Sequence, residues 1–119
     1  MNININDSER YIPAVGGNDK EAEPIVFNLR FLTVRDLDES EYYEIIGAGK
    51  NNRVKGKINF VDLFLRGVES IEGCTVNGKA ITNAIDFLAV RGVPLFKSLM
   101  QDVAQHLHDV SEIDSPNSK

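Results

Sequence analysis

Between Ile25 and Val34 the chain alternates, with Ile25, Phe27, Leu29 and Phe31 on one side of an extended segment. Val26, Asn28, Arg30 and Leu32 fall on the other side, the period-two pattern of a strand. Arg10 to Val15 predicts an earlier strand, and Pro13 confines it to an edge or a strand end. The polar loop around Gly16-Gly17-Asn18-Asp19-Lys20 lets the two pair as a hairpin. The period then lengthens. Thr33 or Asp36 can cap a helix whose first turns hold Asp36, Asp38, Glu39 and Glu41, which suit the positive end of its dipole. Leu37, Tyr42 and Ile45 follow at roughly helical spacing, and Gly47-Ala48-Gly49 ends the segment. A second helix is predicted from about Ile58 to Ser70, on the stripe Ile58, Val61, Leu65 and Val68 widened by Phe60 and Phe64. Asn77-Gly78, flanked by β-prone residues, is the pair a type I′ hairpin turn favours. Thr82 can cap a short helix, Asn83 to Val90, which Gly92 would terminate. Pro94 fits the first turn of a last helix striped by Phe96, Leu99, Met100, Val103, Leu107 and Val110.

The pattern predicts an α+β fold: an N-terminal β-hairpin, then a mostly helical domain with a small second hairpin. A flexible arm over 1–8, one domain over 9–113 and a flexible tail over 114–119 complete the organisation. At 119 residues and 42% hydrophobic content, one core can be sustained without disulfides or metals. The polar, uncharged start Met1-Asn2-Ile3-Asn4-Ile5-Asn6 lacks the marks of a signal peptide, and no apolar run approaches a membrane span. The single cysteine, Cys74, excludes an intramolecular disulfide and favours a reducing compartment.

The net charge of −5 is the reverse of what duplex binding requires. It is unevenly spread. Residues 1–50 carry five basic and ten acidic side chains, 51–100 seven and four, and 101–119 one and four. The basic middle begins at Lys50, Arg53, Lys55 and Lys57, read as a solvated loop before a helix. A phosphate-facing patch is the alternative, but no aromatic residue is interleaved there to stack bases.

No set of residues spells out catalysis. Gly49-Lys50 lacks the P-loop's first glycine, where Glu44 stands, and its magnesium-holding hydroxyl, where Asn51 stands. Asp36 to Glu44 has no central glycine for a calcium loop. His106 and His108, two apart on a helix, point about 200° apart and cannot share a metal. Cys74 has no activating partner nearby in sequence and reads as a buried structural thiol. These readings predict a protein that is not an enzyme, with no catalytic residues, no metal site and no cofactor. The last helix offers two alternatives, a stripe wholly within the core or an exposed apolar seam that docks a partner helix.

Tyr11-Ile12-Pro13, the Gly17-Asn18 loop, the strand Ile25–Leu32 running into Thr33-Val34-Arg35-Asp36, the Val76-to-Lys79 hairpin and the Ile81-Thr82 helix start share one further property. Over residues 10–110 their order resembles that of the small tail assembly chaperones of long-tailed bacteriophages. The resemblance implies a non-enzymatic protein of the host cytoplasm that coats the tape-measure protein before tail-tube subunits displace it. The expected partner is therefore a protein, the tape-measure or another tail protein, with further copies of the chain as a second kind of partner. No membrane is expected, and nucleic acid is disfavoured. The expected partner-binding residues are Phe96, Leu99, Met100, Val103 and Leu107, with Phe60 and Phe64 as companions. The prominent strand pair departs from the nearly all-helical pattern of many such chaperones. It leaves open a small structural virion protein, of tail or head–tail junction, assembling through its edge hairpin.

Overall fold

The computed structural model describes residues 1–3, 7–47 and 53–113. The centre of the expected N-terminal arm, the stretch 48–52 with Gly49-Lys50, and the expected tail 114–119 lie outside these residues. The chain is α+β.

Strands β1 (Ser8–Tyr11) and β2 (Val26–Arg30) pair antiparallel, with Tyr11 opposite Phe27. The predicted hairpin forms with shorter strands, but the first starts at Ser8, earlier than the expected Arg10, and ends at Tyr11. Pro13 therefore lies beyond it, and Val15 opens the loop instead of closing the strand. Its loop contains a 3-10 segment, Val15–Lys20, broken where Gly16 and Gly17 take positive φ angles. Asn18 holds the loop together. Its buried amide donates to the carbonyls of Pro13 and Ile25, and its oxygen accepts the Ile25 N–H at 2.8 Å.

Thr33 caps α1 (Val34–Ser40), and its hydroxyl and the Asp36 carboxylate exchange hydrogen bonds with each other's backbone N–H. The helix stops at Ser40, earlier than the spacing of Leu37, Tyr42 and Ile45 predicts. Glu41–Ile46 is instead strand β3, paired antiparallel with β4 (Arg53–Ile58). The Tyr-Tyr-Glu-Ile-Ile run is β-prone, and Arg53–Ile58 supplies the cross-strand partners that outweigh a loose helical spacing. The basic segment is correspondingly a strand from Arg53 onward, not a loop.

The second helix is also shorter than its apolar stripe predicts. Helix α2 spans Phe60–Gly67, capped by Asn59, and Val68–Glu72 continues as strand β5. β5 pairs with β2, making a three-stranded sheet ordered β1-β2-β5. Tertiary pairing decides the matter, because β2 needs a partner on its second edge and Val68 and Ile71 bury their side chains from it. The inward face of α2 is therefore Leu63, Phe64 and Gly67, with Phe60 partly covered, while Val61 and Leu65 are exposed.

Strands β6 (Thr75–Val76) and β7 (Lys79–Ala80) form the predicted small hairpin, with positive φ at both Asn77 and Gly78. Helix α3 (Ala84–Leu88) is capped by Asn83 rather than Thr82. Helix α4 runs from Pro94 to Ile113. Phe27 and Leu29 from β2, Phe64 from α2, Phe87 from α3, and Leu99 and Leu107 from α4 meet in one apolar core. Among the described residues, no helix is long and apolar enough to cross a membrane.

Candidate partner-binding surfaces

The α4 stripe decides where a partner could bind, and most of it faces inward. Leu99, Val103 and Leu107 are fully buried and Met100 nearly so. Phe64, at 0% exposure, packs among Phe27 and Phe87 with ring centroids 5.8 and 5.3 Å away. The expectation that these side chains form an exposed seam is corrected: they are the core of the domain itself. The reason is geometric. Leu107 packs so tightly on α2 that a Cβ at Gly67 would lie 2.4 Å from its tip, so the two helices meet with no room for a guest. Phe60 and Phe96 are only partly buried, packed against the edge of this core.

At the start of α4 the stripe does reach the surface. The turn from α3 into α4 leaves an apolar groove of about 450 Å³, lined by Leu88, Val90, Val93, Phe96 and Met100, with Lys97 at its mouth. Phe96 stacks flat on Phe87, centroids 4.3 Å apart, which fixes the groove's inner wall. Of the seven predicted partner-binding residues, Phe96 and Met100 are brought together here. The other five are not part of this groove. Leu88, Val90 and Val93 escape sequence reasoning because they straddle a helix end, where no period marks them. The usable signal is apolar residues retained in a short connection, Val90-Arg91-Gly92-Val93-Pro94.

The β3–β4 hairpin is a second exposed surface. Its base is closed by the Asn59 N–H donating to the Ser40 carbonyl at 2.9 Å, and its main approach to the domain is between β3 and α1. Directly opposed residues share a face, so Tyr43, Gly56 and Val54 lie on one side and Tyr42, Glu44, Lys55 and Lys57 on the other. Tyr43 and Val54 are 69% and 67% exposed. Lys57 reaches Glu44 at 2.9 Å, and this pairing holds its ammonium pKa above the ordinary value.

Polar clusters elsewhere tie elements together. The Tyr11 hydroxyl donates to Asp102, the Tyr11 ring stacks on His106, and His106 Nε2 lies 2.7 Å from Glu9. Burial, then the Asp102 hydrogen bond, pushes the Tyr11 phenol well above its usual range. These contacts fasten β1 to α4. Arg66 binds Asp36, Glu39 and Asp62 at once, which raises its own pKa and joins α1 to α2. Hydrogen bonding from the Thr33 backbone, with help from Arg66, lowers the Asp36 carboxyl. Cys74 is buried, and burial pushes its thiol pKa up, away from the reactive thiolate. Among the described residues no three His, Cys, Asp or Glu side chains are grouped as a metal site.

In comparison with known proteins, no family model, no curated protein and no solved structure matches the chain.

Proposed function

We propose that this chain is a non-enzymatic tail assembly chaperone of a long-tailed bacteriophage, acting in the host cytoplasm on the tape-measure protein. The observation that carries the reading is the α3–α4 groove, an open apolar cleft at the start of a helix whose Leu99, Val103 and Leu107 are spent on the domain's own core. A groove of this size takes one or two apolar side chains of a helical client and leaves the rest of that helix outside. Such a contact is small, and a small contact suits a coat that tail-tube subunits must displace. The interface therefore shifts from the buried seam to Leu88, Val90, Val93, Phe96 and Met100.

The test is co-expression with a phage tape-measure protein taken from the same genome, scored by how much client stays soluble. Val93→Asp, at the partly exposed mouth of the groove, should lower soluble client at least five-fold with an unchanged circular dichroism spectrum. Wild-type solubilisation by a folded Val93→Asp protein would sink the groove as the client site. A structural virion subunit is the second reading, favoured by β1, whose outer edge pairs with no described strand. Mass spectrometry of purified particles separates the two, since a chaperone should be missing from them and a subunit abundant.

A further inference from the structure

We propose that one face of the β3–β4 hairpin binds single-stranded nucleic acid, with Lys55 and Lys57 meeting phosphates and Tyr42 stacking on a base. The strand register assembles this face. β4 carries a basic residue at every second position, Arg53, Lys55 and Lys57. Tyr42 lies directly opposite Lys57 and Glu44 opposite Lys55, and directly opposed residues share a face. The basic segment holds no aromatic residue of its own, so pairing with β3 brings in the stacking group that such a site needs. Tyr42 is 46% exposed, and Lys55 is exposed with no ion pair among the described residues. The other face differs. Ile58 there packs against the core, and the Tyr43 ring lies over Gly56, where an added Cβ would meet it at 3.6 Å.

Charge selects the occupant. Residues 41–58 contain four basic and two acidic side chains, whereas the rest of the chain contains nine and sixteen. Of the two acids, Glu41 belongs to the Tyr43 face, and Glu44 is matched by Lys57 at 2.9 Å. A polyanion is therefore drawn to the Tyr42 face and repelled by the rest of the molecule. Alternate residues on a strand stand about 6.7 Å apart, close to the phosphate step of a stretched polynucleotide, so the β4 cations can follow one backbone. A duplex would set its second strand against the acidic domain and hide the base faces that Tyr42 needs. An acidic peptide offers carboxylates but no base to stack. A lipid surface is disfavoured because Val54, exposed and apolar, lies on the face away from the lysines, whereas an element lying on a membrane inserts apolar groups beside its cations. Phosphate and base contacts are common to DNA and RNA.

The test uses the purified full chain and a fluorescein-labelled oligothymidylate of about 16 nucleotides. No client is present, so its result is separate from the tape-measure reading. Fluorescence anisotropy should show binding at low salt that weakens with a log–log slope of about −2, the counterion release of three cations on a single strand. Tyr42→Ala should weaken binding about ten-fold. Lys55→Gln should weaken it about five-fold and reduce the salt slope by about 0.7. Glu44→Gln should tighten it about three-fold by freeing Lys57, a gain that misfolding cannot mimic. Tyr43→Ser, on the other face, should bind as wild type does, and circular dichroism should be unchanged throughout. No anisotropy change up to about 0.1 mM protein overturns the proposal. So does a folded Tyr42→Ala protein of wild-type affinity, or a duplex of the same length bound as tightly as the single strand. Displacement by an equal charge of polyglutamate also overturns it, by making an acidic protein segment the occupant.

Discussion

Tyr11 shows how much one side chain does in a domain this small. Its ring covers His106, its hydroxyl meets Asp102, and its strand neighbour Glu9 meets the same histidine, so β1 is held by α4 as well as by β2. The raised phenol pKa has a definite sign. The folded state favours the protonated ring, so this stability is fully present below the unfolded phenol value of about 10. It is lost as pH rises through the higher folded value. Tyr11→Phe should cost about 1 kcal/mol near pH 8 and should flatten the alkaline fall in stability above about pH 10. Denaturant melts from pH 7 to 11 check both, and an unchanged alkaline limb would remove Tyr11 as its source. None of this cluster is legible in the sequence, where Glu9 and Tyr11 lie more than 90 residues from Asp102 and His106. Asn18 is similar: its Gly-Asn loop is visible, but the three hydrogen bonds that close it are not.

Elements were legible wherever local chemistry and tertiary demand agree. The Asn77-Gly78 turn, the Thr33 cap and the Pro94 helix start each satisfy themselves within a few residues, and each forms where its residues predict. Glu41–Ile46 and Val68–Glu72 needed partners from elsewhere, and their helical spacing gave way to strand pairing. The candidate site follows the same division. The α4 stripe was readable, but which of its members face outward depends on how α2 and α3 pack on it. Among the described residues of the β3–β4 hairpin, by contrast, only Ile58 packs against the core, and it is only partly buried. Replacing residues 42–57 by a two-residue glycine turn should therefore leave helix content intact and shift the melting temperature by less than about 5 °C, a loss on the order of 1 kcal/mol. Thermal melts followed by circular dichroism decide this, and global unfolding of the shortened chain would make the hairpin integral to the domain.

For the molecule as a whole, one shared core leaves little tolerance for charge inside it. Leu99 is 0% exposed, so Leu99→Asp places a carboxylate among apolar side chains with no partner. A loss of more than about 4 kcal/mol is expected, a large share of the stability of a domain this size. The variant should be largely unfolded at 37 °C, and a cooperative, native-like melt would mean that α4 is not seated as described. The order of the central sheet carries another consequence, one of timing. β2 lies between β1 and β5, and its inward face waits for α4, so residues near Phe27 have no complete shelter until positions beyond 100 exist. A ribosome adds about 5–20 residues each second, which leaves the strand that bears Val26, Phe27 and Leu29 uncovered for several seconds of synthesis. During that interval the nascent chain is itself a client, and its yield depends on whatever shields β2 until the last helix arrives.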